Sequence, residues 1–215
     1  MGTLRVGLVG PYPPFVTDDG GLDAELVVAL GERLGDVVEV EVEVVAGVAV
    51  GTAADGALAR LRAGEYDCVL GGLTVTTEDG VAFLPPYVIT GEGLAVNTRR
   101  LPRVRSAADL GELAVRRGDR SRLDVDVADL ASGACDALTA LAPVLGELVR
   151  DVPDVEVVER GLSVDEIAVA VAQGNTALMA RLQVAQAELE EDGTLQRLRR
   201  KWFGNPYVDQ ASAVR

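Results

Sequence analysis

Histidine is absent from all 215 residues. Its absence removes the commonest general base, the serine–histidine and cysteine–histidine nucleophile pairs, and the usual zinc ligand. Cysteine is scarce as well, with only two in the chain. Cys68 lies in YDCVL and Cys135 in ACDAL, apolar strand-like runs where a thiol reads as a small buried side chain. The two cysteines therefore say nothing about redox compartment. No stretch approaches the ~18 apolar residues that a membrane span needs. Positive charge is in deficit: 20 Lys and Arg stand against 34 Asp and Glu, for a net charge of −14. That balance argues against nucleic acid or an anionic membrane as the main partner. The basic runs at 99–105, 116–122 and 197–201 read as solvated surface charge. There is no glycine-rich phosphate loop and no metal-ligand spacing, so no cofactor and no metal are expected. The acid pairs Asp18-Asp19 and Glu190-Glu191 read as solvated residues in surface turns.

What is present points to a folded α/β protein. The chain is 48% hydrophobic and 25% charged, which excludes a disordered segment. Its length suits one domain or two small lobes. Met1-Gly2-Thr3 runs straight into the strand LRVGLV, so no signal peptide opens the sequence. A cytoplasmic protein is expected if Met1 is the native start, and a periplasmic or extracellular one if an export signal has been removed.

The first part of the chain alternates between two periods. LRVGLV (4–9) reads as a buried strand, and Leu22, Leu26, Ala29, Leu30 and Leu34 recur at helical spacing. Asp23 and Glu25 fall in that helix's first turn, where acids suit the dipole. VEVEVEVV (38–45) has the period of a half-solvated strand, 53–64 reads as a helix, and YDCVLGG as a third strand. This β-α-β-α-β order predicts a mostly parallel sheet flanked by helices. LTVTTEDGVAF (73–83) follows the third strand, at the end where open α/β sheets bind ligands. Beyond Pro85-Pro86-Tyr87, the strand-like ITGEGLAV leads into a linker and a short helix, LPRVRSAADL. A second, smaller α/β unit then runs strand, helix, strand, helix, strand. EIAVAVA (166–172) reads as one more strand, and 176–203 as a long helix broken near Asp192-Gly193.

Several motifs occur in a particular order: LRVG, YPPF (12–15), GLDAEL (21–26), AGEYDCVLGGLTVT (63–76), PPY (85–87), SAADL (106–110), ASGACDAL (131–138), IAVAVAQGN (167–175) and DGTLQRLRRKWFG (192–204). In these motifs the chain resembles the type II periplasmic solute-binding proteins, in the group (family 3) that binds polar amino acids for ABC transporters. The resemblance implies two lobes joined by two hinge strands, with mixed sheets flanked by helices. Lobe 1 is expected at 1–92 and 174–215, and a shortened lobe 2 at 93–173. A monomer that encloses a small-molecule ligand by hinge closure is expected, with ABC-transporter membrane subunits as partners.

The same resemblance assigns candidate ligand residues. Tyr12 and Phe15 align with aromatic site residues, Gly72 lies in the strand exit, and Thr74 and Thr76 keep the hydroxyl pattern. Other positions depart from the family. Asp79 stands where members carry the arginine that holds an α-carboxylate, and Ala54 replaces an aromatic lid. Arg120 or Ser121 replaces the lobe 2 threonine, and Leu141 replaces the aspartate that holds the ammonium. Two unit charges ~4 Å apart interact by roughly 1 to 4 kcal/mol, depending on how wet the site is. Exchanging an attracting arginine for a repelling acid thus moves a carboxylate ligand by roughly 2 to 8 kcal/mol. At ~1.4 kcal/mol per tenfold, that is enough to erase micromolar binding.

Three readings follow. The first is a solute-binding protein with an altered ligand, in which Asp79 takes an amine or hydroxyl and Arg120 an anionic group. The second is a cofactor-independent lyase resembling the cyclohexadienyl dehydratases, which need a positioned acid and a cationic anchor. Its acid is Glu78, Asp79 or Asp119, and its anchor Arg116, Arg117 or Arg120. The third is a structural derivative whose site is filled.

Overall fold

The structure, a computed structural model, describes residues 2–44 and 52–204. Val45, expected to end the second strand, and residues 205–215, expected in the first lobe, lie outside the described residues. The described chain divides into two compact units. Unit 1 holds residues up to Ile89 together with those from Glu166 onward, and unit 2 holds 90–165.

In unit 1, LRVGLV becomes the centre of β1 (Thr3–Gly10), buried over most of its length because it runs between two parallel neighbours. These are β2 (Val37–Val44) and β3 (Cys68–Leu70). α1 (Leu22–Leu34) connects β1 to β2, and α2 (Thr52–Arg62) leads to β3. The α2 residues Ala57, Leu58 and Leu61 pack with Val9, Tyr66, Val69, Leu73 and Val81 in one core cluster. Each leucine or valine among them, fully buried, is worth roughly 1.5 to 3 kcal/mol. Ala54, where an aromatic lid is expected, packs partly buried against the same cluster.

β4 (Val81–Phe83) is too short to show a period of two and is not evident in the sequence. In unit 2, β6 (Glu92–Asn97) is preceded by β5 (Val88–Thr90), which straddles the boundary, so ITGEGLAV forms two strands interrupted at Gly91. β7 (Val115–Arg117), α3 (Leu123–Ser132), β8 (Ala137–Leu141), α4 (Ala142–Leu148) and β9 (Val155–Arg160) follow. The sheet order is β7-β8-β6-β9, with β6 antiparallel to both neighbours and β7 parallel to β8. Leu94 and Val96 of β6 are fully buried against Val104, Leu110 and Ala137.

EIAVAVA is likewise two strands, β10 (Asp165–Ile167) and β11 (Ala170–Ala172). The chain changes partner between them: the Ala168 amide donates to Leu73 O, and the Leu84 amide to Val169 O. β11 then pairs antiparallel with β3 and β4, completing the order β2-β1-β3-β11-β4. Unit 1 resumes at Glu166, within β10, where the Val75 amide donates to the Glu166 main-chain oxygen; the resemblance puts the return at 174. α5 (Thr176–Glu191) and α6 (Thr194–Phe203) close the described chain, separated at Asp192-Gly193 as the sequence indicates. Leu182, Ala185, Leu189 and Leu195 are their buried apolar residues within unit 1.

Candidate functional site

The candidate residues of unit 1 lie in two loops that meet. The loop after β1 turns tightly, with the Tyr12 amide donating to Val16 O at 2.8 Å and the Phe15 amide to Tyr12 O at 2.9 Å. Tyr12 stacks on Phe15 with centroids 6.0 Å apart, and Phe15 meets Phe203 edge-on at 5.3 Å. Phe15 is fully buried and Tyr12 is 8% exposed. Phe15 therefore sits as a support beneath Tyr12.

Gly72 is the other half of this contact. A Cβ there would lie 2.8 Å from a Phe15 ring carbon and 2.9 Å from Tyr12 Cδ1, and the residue has φ +64°. Glycine satisfies both demands at once, the left-handed backbone and the close approach to the rings.

Asp23, which in the sequence reads only as a first-turn acid suited to the helix dipole, holds this turn in place. Its carboxylate is fully buried. Oδ2 accepts from the amides of Gly71 and Gly72 at 2.7 Å each, and Oδ1 accepts from the Tyr87 hydroxyl at 2.7 Å. The signal was available: with Val27 and Leu30, Asp23 shares the i, i+4, i+7 stripe of the buried helix face.

The threonine segment continues from Gly72. Thr74 bridges Ile167, and the Val75 amide donates to Glu166 O at 2.8 Å, so the segment starts out extended and half-buried. Thr76 and Asp79 are exposed. Glu78 is half-buried and engaged: Arg62 Nη2 donates to its Oε2 at 2.7 Å, and Arg62 Nε to the Asp79 main-chain oxygen at 2.9 Å. The last residue of α2 thus anchors the 78–80 turn.

Unit 2 fixes its own loop in a comparable way. Asp126, on the buried face of α3 and 1% exposed, accepts from the Asp119 amide, Arg116 and Arg122, each at 3.1 Å. Arg116 also pairs with Asp129, and these bonds raise its pKa, the one to Asp129 most. Asp119 Oδ1 accepts from the Ser121 amide at 2.9 Å and its hydroxyl at 2.8 Å. Arg117 pairs with Glu92 at 2.8 Å although its own side chain is 83% exposed. Arg120 and Ser121 are half-buried at the entry to α3. The structure thus gathers Tyr12, Phe15 and Gly72 into one contact, while Arg117 ends β7 and Arg120 and Ser121 lie in the loop that follows it. Leu141 is buried at the end of β8.

Neither cysteine is poised for chemistry. Burial pushes the Cys68 thiol up to about 12, and burial raises that of Cys135 too. Among the described residues no cluster of three metal-capable side chains occurs, and no helix is long and apolar enough to cross a membrane.

Comparison with known proteins places this geometry in a family. The bacterial extracellular solute-binding proteins, family 3, match residues 4–205. The chain belongs to that family. The L-cystine-binding protein TcyJ of Escherichia coli (strain K12) is 32% identical to this solute-binding protein over 230 residues, covering 94% of this chain and 83% of that one. An ancestral arginine-binding protein bound to glutamine superimposes with a TM-score of 0.74 at 28% identity, covering 95% and 99% of the two chains. The ancestral amino acid-binding protein AncCDT-1, a precursor of cyclohexadienyl dehydratase, gives 0.74 at 26% identity, covering 94% and 96%. The two-unit α/β architecture is that of the type II solute-binding proteins. The protein is a small-molecule binder of an amino-acid-binding family.

Proposed function

We propose that the protein binds a small polar solute that is not held by the arginine–carboxylate contact of the family's amino-acid binders. One observation carries this reading. Asp79, exposed on a turn anchored by Arg62, stands where the resemblance puts the carboxylate-holding arginine. A carboxylate there attracts an amine or accepts from a hydroxyl, and it repels an α-carboxylate. The exchange is worth roughly 2 to 8 kcal/mol, depending on solvation. The solute class we favour offers an amine or hydroxyl to Asp79, Thr74 and Thr76. Tyr12 supplies an aromatic surface, with Phe15 and Gly72 fixing its place. The natural partners on this reading are the membrane subunits of an ABC transporter, and the protein works outside the cytoplasm.

A second reading, a cofactor-independent lyase of small carboxylic acids, draws on the likeness to AncCDT-1. Geometry weighs against two of its acids. Glu78 is committed to Arg62, and Asp119 Oδ1 closes the Ser121 turn. Asp79 is then the acid it retains.

A thermal-shift screen against polyamines, hydroxylated amines, opines, amino acids including L-cystine, and prephenate-like acids tests both. Saturable stabilisation by an amine-bearing solute, without turnover and lost in Asp79→Asn, is the expected result. Product formation from a prephenate-like acid, lost in the same variant, would replace the binding reading with the enzymatic one.

A further inference from the structure

We propose that Asp23 is a positioning residue for the candidate ligand loops: through the amides of Gly71 and Gly72 it fixes where Tyr12 and the 74–79 segment stand. The functional meaning of this assignment rests on the binding reading above.

The geometry is specific. Both amides point at one oxygen of a carboxylate with no exposed surface, at 2.7 Å each. Neither residue belongs to β3, which ends at Leu70, so the carboxylate receives amides just past the strand. Both glycines have positive φ, +130° and +64°. A carboxylate that receives two converging amides suits such a turn, because charge-assisted bonds are shorter and stronger than neutral ones. The other oxygen is bonded by Tyr87, and the Asp23 amide itself donates to Phe15 O at 2.9 Å. One residue therefore joins the aromatic loop after β1, the strand exit after β3, and the PPY segment.

An acid serving only the helix dipole needs none of this. Glu25, in the same first turn, is half-exposed and pairs with Lys201. Asp23 is instead turned inward, where unpaired amides and an unpaired carboxylate are both costly.

Residue-resolved amide exchange on the full chain tests the assignment. In the wild-type protein the Gly71 and Gly72 amides are expected to be protected as strongly as those of Val6 and Leu8 in β1. Asp23→Ala is expected to speed exchange at Gly71, Gly72, Tyr12 and Phe15 by about tenfold or more, leaving Val6 and Leu8 unchanged. Asp23→Asn, which keeps an oxygen for the two amides, is expected to restore protection to within about threefold of wild type. Wild-type Gly71 and Gly72 exchanging like exposed amides would overturn the proposal. So would an Asp23→Ala response spread evenly over unit 1, or an Asp23→Asn protein no better protected than it. Should Asp23→Ala fail to fold, the wild-type and Asp23→Asn measurements still decide. The exchange experiment contains no solute: a failed ligand screen with intact exchange results would sink the binding reading and leave Asp23 where it is.

Discussion

The main-chain oxygen of Asp79 accepts a hydrogen bond from Arg62 Nε at 2.9 Å, while its own carboxylate stays exposed. Arg62 spends its remaining reach on Glu78. The end of α2 thus fastens the turn by its backbone and one flanking acid, and leaves the other acid facing outward. Both partners of the Arg62–Glu78 pair are about one-third exposed, so screening limits what the pair adds to global stability. Arg62→Ala is expected to cost about 1 kcal/mol in urea denaturation. A loss several times larger would mean that the turn is part of the core.

Gly72 bears a stricter demand. Alanine there must adopt a left-handed backbone and place its Cβ 2.8–2.9 Å from the Phe15 and Tyr12 rings. Backbone cost of about 1 to 2 kcal/mol adds to overpacking of about 1 to 3. Gly72→Ala is expected to lose about 3 kcal/mol of unfolding free energy and to alter the near-ultraviolet circular dichroism of the tyrosine. An unchanged spectrum and stability would show that the rings move aside freely.

Asp126 predicts a contrast between two variants. Asp126→Ala leaves Arg116, Arg122 and the Asp119 amide without their shared acceptor, and breaking such a buried pair costs about 3 to 5 kcal/mol. Both arginines keep partial exposure and Asp129 remains as a second partner, which places the expected loss near 3 kcal/mol. Asp126→Asn keeps an acceptor for the amide and should lose less. Equal losses would assign the effect to charge alone.

Acid titration carries a sign that can be checked at Asp36. The Gly2 amide, and then Arg181, hold its pKa below the usual carboxylate range. A group whose folded pKa is depressed contributes stability above its unfolded pKa and loses it as pH falls through the folded value. The melting-temperature gap between wild type and Asp36→Asn should be constant from pH 7 to about 5 and close below about 4. A gap that widens on acidification would contradict the ion pair.

Much of the fold was legible because the periods are clean. β1, α1 and the break between α5 and α6 follow from hydrophobic spacing and from Asp192-Gly193. Short strands were not: β4 has three residues, and the β10–β11 run looks continuous although its hydrogen bonds change partner midway. In the candidate site, the family motifs pointed to Tyr12 and Phe15, which stack on one another, and it is the resemblance alone that sets Asp79 against an arginine. The supports were missed. Asp23 and Asp126 look like ordinary first-turn acids until their position on the buried stripe is noticed, and Arg62 reaches Glu78 across sixteen positions of sequence. Such long-range pairings are set by tertiary packing, which local patterns do not encode.

The most direct measurement is a calorimetric titration of L-cystine into the wild-type protein and into Asp79→Arg. No saturable binding to wild type is expected up to about 1 mM, and at least about tenfold tighter binding to the arginine variant. Micromolar binding of L-cystine to wild type, weakened by Asp79→Arg, would contradict that expectation.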